Sequence, residues 1–153
     1  MPLVRISLLQ GKNSEYKKKV GDIVHQAMVE TINCPPLDRF QLITEHSKEN
    51  FVYAPTYLDI PHTDDLIIIQ ITLNEGRTVE QKKALYKAIA EGLNKSVGVK
   101  PQDVFVSLVE VKKENWSFVM ASRSMPPNSL FVPTPARARR FLLLRWRRGT
   151  TTR

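Results

Sequence analysis

Apolar positions recur along residues 3–111 in two rhythms. Short runs rich in β-branched residues, 3–8 and 66–73, read as strands, and a glycine follows each, Gly11 and Gly76. Residues 14–32 then place Val20, Ile23, Val24, Ala27, Met28 and Ile32 at helical spacing, with Lys17 to Lys19 towards the wet end. Residues 78–97 repeat the design with Leu85, Ile89 and Leu93 on one face, and Thr78 with Gln81 fits a capping box. Pro36 and Pro101 close the connections after the helices, and residues 40–46 and 104–111 read as further strands.

The two sets are one unit written twice. A shift of 65 positions aligns Ile6 with Ile71, Leu8 with Leu73, Gly11 with Gly76 and Glu15 with Glu80. Without a gap it also aligns Lys17-Lys18 with Lys82-Lys83, Pro36 with Pro101, Asp38 with Asp103, Phe40 with Phe105, and Glu45 with Glu110. Each unit, about 2–46 and 67–111, is strand, helix, strand, and two strands joined by one helix pair in parallel through a right-handed crossover. The predicted class is α/β: two tandem β-α-β units in pseudo-twofold arrangement, forming a four-stranded sheet with two helices on one face. The other sheet face is left bare, and oligomerisation through it is the expected remedy.

Composition narrows the class of protein. The chain has 153 residues, enough for one domain with a core, and 42% apolar with 25% charged residues is a globular balance. No stretch reaches the roughly 20 apolar residues of a membrane helix, and the start does not read as a signal peptide, so the expected location is cytoplasmic. A single cysteine, Cys34, excludes an internal disulfide and a zinc cluster. The net charge of +8 invites a nucleic-acid or acidic-membrane partner until it is located. Residues 119–153 hold eight arginines, no lysine and no acid, which leaves 15 basic against 15 acidic residues in 1–118. The body is neutral and the surplus belongs to the tail.

Pro2 is the first candidate for chemistry. Methionine ahead of a small residue is normally removed, which exposes the secondary amine of Pro2. An α-amino group titrates at about 8, and burial or a neighbouring cation lowers that value because both disfavour the charged form. A proline so placed at the start of a central strand suits a general base near neutral pH; an inert second-position proline is the other reading.

Met1-Pro2-Leu3, His25-Gln26-Ala27-Met28-Val29, Asp38-Arg39-Phe40-Gln41, Gly76-Arg77-Thr78-Val79-Glu80-Gln81-Lys82 and Asn115-Trp116-Ser117-Phe118, set on this duplication, resemble the tautomerase superfamily (4-oxalocrotonate tautomerase-like). The resemblance is to its double-length branch, which includes malonate semialdehyde decarboxylase, and covers nearly all of residues 1–118 as one tautomerase-like domain. It implies a trimer, a small-molecule carboxylate substrate, no cofactor or metal, and neither nucleic acid nor membrane as partner. It makes Pro2 the acid-base group and Arg77 the ligand for the substrate carboxylate, where an exposed turn arginine is the alternative. It makes Asp38 an acidic residue orienting water or substrate, although Asp103 at the equivalent position shows that the fold alone can ask for aspartate there. Trp116 and Phe118 resemble the aromatic wall of the pocket; His25, mid-helix, reads as structural. The decarboxylases carry two arginines at this turn, and here Glu75 stands two before Arg77. One cation plus the proline suffices for enol-keto conversion of a 2-oxo acid, so tautomerase is the first expectation, decarboxylase or hydratase the second, and a basic binding protein acting through its tail the third.

Family members continue Trp-Ser-Phe with Gly-x-Gly, whereas Phe118 is followed by Val119-Met120-Ala121. Restoring one G after the Phe codon regroups GTN-ATG-GCN as GGT-NAT-GGC, which forces glycine at both outer positions. With the switch from Lys to Arg and the clustered Pro126, Pro127, Pro133 and Pro135, this reads residues 119–153 as a frameshift product; a native basic tail, with 141–148 as a surface-binding segment, is the competing reading. Sequencing the gene across the Phe118 codon decides between them, and an unbroken frame sinks the first.

Overall fold

A computed structural model describes residues 2–117. The first unit runs β1 (Pro2–Leu9), α1 (Ser14–Ile32) and β2 (Gln41–His46). Residues 47–66 carry a small hairpin of β3 (Thr56–Tyr57) and β4 (Ile60–Pro61), and the second unit follows as β5 (Ile67–Asn74), α2 (Val79–Val97) and β6 (Val104–Val111).

The main sheet has the order β2-β1-β5-β6. Strands within each unit are parallel, as the crossover rule predicts, and the units join antiparallel through β1 and β5, from Pro2 opposite Leu73 to Leu8 opposite Ile67. Strand alternation sends Val4, Ile6 and Leu8 with Ile67, Ile69, Ile71 and Leu73 to one face, all nearly inaccessible. Both helices cover that face with Val20, Val24, Met28 and Ile32 from α1 and Leu85, Ile89 and Leu93 from α2. Such side chains contribute about 1.5–3 kcal/mol each when fully buried, so this single layer is the main source of stability. Opposite lies the uncovered sheet face, where Leu42 and Phe105 keep about half their surface in water.

The 65-residue repeat holds at atomic detail. Lys17 pairs with Glu45 at 2.7 Å and Lys82 with Glu110 at 2.6 Å, each fastening a helix start over the end of its second strand. The backbone N–H of Gln10 donates to His46 and that of Glu75 to Val111. Asn13 and Thr78 cap the helices, Thr78 through the predicted capping box with Gln81.

The segment between the units breaks the symmetry. Its hairpin turns through Leu58 and Asp59, both with positive φ, and two-residue strands offer no periodicity to read. The fully buried carboxylate of Asp103 accepts from the Thr63 N–H at 2.7 Å and the Thr63 hydroxyl at 2.9 Å, tying this segment to the second unit.

Candidate active site

Because β1 and β5 run antiparallel at the sheet centre, the start of one meets the end of the other. Pro2 is buried there, opposite Leu73. A protonated amine is disfavoured in that setting by desolvation. The next residue, Asn74, ends β5, and Gly76 takes φ 109°, a value that side chains resist. This turn brings Arg77 back along the strand end, where its Nη1 donates to the Asn74 carbonyl at 3.0 Å. Arg77 is half-buried, and among the described residues no carboxylate pairs with it, whereas Glu75 is exposed. Trp116, also half-buried, donates its indole N–H to the Asn74 side-chain oxygen at 2.8 Å.

Asp38 comes from the α1–β2 connection. Its N–H closes a turn onto the Pro35 carbonyl at 2.9 Å, and the neighbouring Phe40 carbonyl accepts from Val4 at 2.9 Å, which holds this connection beside the start of β1. Buried His25 donates Nε2–H to the Pro36 carbonyl at 2.9 Å and so anchors the same turn to α1, which fits its structural reading. Cys34 lies beneath, its sulfur 3.5 Å from the Asp38 carbonyl. Burial pushes the thiol up to about 11, the Asp38 charge acts in the same direction, and the Arg77 cation opposes both. Phe118 and residues 119–153 lie outside the described residues. Among the described residues no group of three His, Cys, Asp or Glu side chains is arranged to hold a metal.

The repeat places a counterpart at the opposite end of the sheet, and its electrostatics differ. Lys12 stands where Arg77 does, after Gly11 at φ 107°, but it donates to Asp65 at 2.7 Å. Lys48 pairs with Asp64 at 2.6 Å across the same cavity of about 430 Å³. The linker therefore neutralises the cations at that end and leaves Arg77 without such a partner. Asn74 was not singled out from the sequence; the available signal is that it replaces Leu9, its repeat counterpart, at an otherwise apolar position.

Two tandem β-α-β units with a buried proline at the head of a central strand, and an arginine on the turn that follows the strand paired with it, define a class of proline-headed α/β proteins. The chain belongs to the tautomerase family: models described as "Tautomerase enzyme" match residues 2–59 and 38–119. The Bacillus subtilis (strain 168) protein named "Probable tautomerase YusQ" is 44% identical over 118 residues, 77% of this chain and 93% of that protein. A crystal structure of malonate semialdehyde decarboxylase superposes with TM-score 0.72 at 29% identity, over 78% of this chain and 92% of its own. The FG41 malonate semialdehyde decarboxylase inhibited by 3-bromopropiolate gives TM-score 0.72 at 33% identity, over 78% and 91%. Among the described residues no helix is long and apolar enough to cross a membrane.

Proposed function

We propose that this chain is a cofactor-independent tautomerase that interconverts the enol and keto forms of a 2-oxo carboxylate. With Met1 removed, the Pro2 nitrogen takes the enol O–H proton and the oxygen electron pair closes the C=O bond. The former C=C pair then takes the proton back from the prolinium, so no electrons or atoms are left over. Arg77 holds the carboxylate by paired N–H donors, Asp38 orients substrate or water, and Trp116 with Phe118 walls the pocket. The observation that carries this reading is the lone guanidinium at the β5–α2 turn, unpaired by acid among the described residues and preceded by Glu75. One anchoring cation meets the needs of enol-keto transfer, whereas a carboxylate at 75 opposes a second anion contact.

The likeness to two malonate semialdehyde decarboxylases favours a second reading, decarboxylation or hydration of a 3-oxo acid on the same proline. A screen with phenylenolpyruvate and 2-hydroxydienoates, alongside malonate semialdehyde with CO₂ detection, separates the two. We expect ketonisation without CO₂ release; CO₂ release with no ketonisation would reverse the order.

The uncovered face bearing Leu42, Phe105 and Val109 supports assembly as a trimer. Light scattering should return three protomer masses, and a monomeric mass at micromolar concentration would exclude it.

A further inference from the structure

Asn74 meets both the candidate anchor and the candidate pocket wall, the first through its main chain and the second through its side chain. Its main-chain carbonyl receives Arg77 Nη1 at 3.0 Å, a bond that any residue here supplies, and its side-chain oxygen receives the Trp116 indole N–H at 2.8 Å. It also ends the strand whose preceding residue, Leu73, faces Pro2.

The duplication supplies an internal control for what the fold itself requires here. A shift of 65 positions carries Asn74 to Leu9 and Trp116 to Phe51. The surrounding backbone is the same in both units, with residue 10 bonded to 46 and residue 75 to 111, and a left-handed glycine at 11 and 76. Yet Leu9 and Phe51 meet as an apolar pair, buried together with Leu66. The architecture is thus satisfied by leucine against a benzene ring, and a polar amide facing an indole N–H is not a demand of folding. A half-buried amide that accepts from an indole fixes the ring plane in a way that apolar contact does not, because a hydrogen bond is directional.

We infer that Asn74 is a positioning residue, which sets the plane of the Trp116 ring against the Arg77 guanidinium so that wall and anchor present one shaped surface to the flat carboxylate end of the substrate. This rests on the reading that Arg77 and Trp116 contact substrate. The Asn74 side chain moves no proton and acts only through Trp116, while its main chain holds Arg77.

Asn74→Leu, the substitution that copies Leu9, tests it in the full chain, with Trp146→Phe as background so that one indole remains. The melting temperature should stay within a few degrees, since the chain already accommodates leucine at the equivalent site. The Trp116 indole N–H resonance should move, and KM for phenylenolpyruvate should rise about tenfold with kcat changed less than threefold, the size of effect expected for one hydrogen bond that orients a contact. Asn74→Asp keeps the acceptor and should retain the resonance. Trp116→Phe should show a comparable loss, and Asn74→Leu with Trp116→Phe, which recreates the Leu9 and Phe51 pair, should be no worse than either alone. A KM within twofold of the parent in Asn74→Leu, or losses that multiply in the double variant, would overturn the inference. Binding of phenylpyruvate followed by chemical shifts gives the same comparison without turnover, so failure of the tautomerase reading is read from the parent's lack of ketonisation and failure of the Asn74 role from unchanged binding.

Discussion

Pro2→Ala is expected to lower kcat for enol-keto conversion about 10²–10⁴-fold, the usual contribution of a positioned acid-base group, while KM changes little. Pro2 is buried at the head of β1, and Arg77 is brought back to the same end of the sheet by the turn after β5. Desolvation and a neighbouring cation both penalise the protonated amine, so its pKa should fall below the ordinary value of about 8. The sign of the expected pH dependence follows: with the unprotonated nitrogen as the proposed base, activity should rise as pH passes upward through that depressed pKa and be present at neutrality. A ¹⁵N titration of the amino-terminal proline measures the shift directly. Retained Met1 would leave position 2 as an amide with no basic nitrogen, so the intact mass of the purified chain belongs with the experiment. Full activity in Pro2→Ala, or an amine that titrates normally, would remove Pro2 from the mechanism.

Most of the framework was legible because it is local and repeated. The 65-residue offset predicted two parallel strand pairs, and the Thr78–Gln81 capping box and the Leu85, Ile89, Leu93 stripe are found as read. What escaped depends on contacts distant in sequence. Asp38 and Asp103 are equivalent letters, yet Asp103 is sealed beneath Thr63, a residue of the inter-unit segment, while Asp38 stays partly accessible on its turn. That segment is not duplicated, and its Thr63 reaches only the second unit's aspartate, so no repeat argument reveals the difference. The same holds for Lys12 and Arg77. Both follow a glycine turn, and only the spatial arrival of Asp65 shows which cation is already satisfied. Asn74 needed the fold as well, since its partner Trp116 lies 42 residues away.

Arg77→Ala is expected to reduce kcat/KM for carboxylate substrates about 10²–10³-fold, on the scale of about 3–4 kcal/mol for truncating one partner of a charged, hydrogen-bonded pair. The loss should fall mainly on KM, because in the proposed reaction the guanidinium would hold a carboxylate that keeps its charge throughout. Arg77→Lys is the sharper variant. Lys12 occupies the equivalent turn of the first unit, so lysine is compatible with the backbone and folding should be preserved. Lysine keeps the positive charge but offers no planar fork for two parallel N–H···O bonds. Anchoring by bidentate contact predicts that Arg77→Lys recovers only part of the KM while restoring the effect on Pro2. Anchoring by charge alone predicts recovery of both. The proline titration separates these outcomes: removing the cation in Arg77→Ala should raise the Pro2 pKa and move the rising limb of the pH profile upward, and Arg77→Lys should return it. If KM and the proline pKa both stay at parental values in Arg77→Ala, Arg77 is an ordinary turn residue, and the substrate carboxylate is held elsewhere.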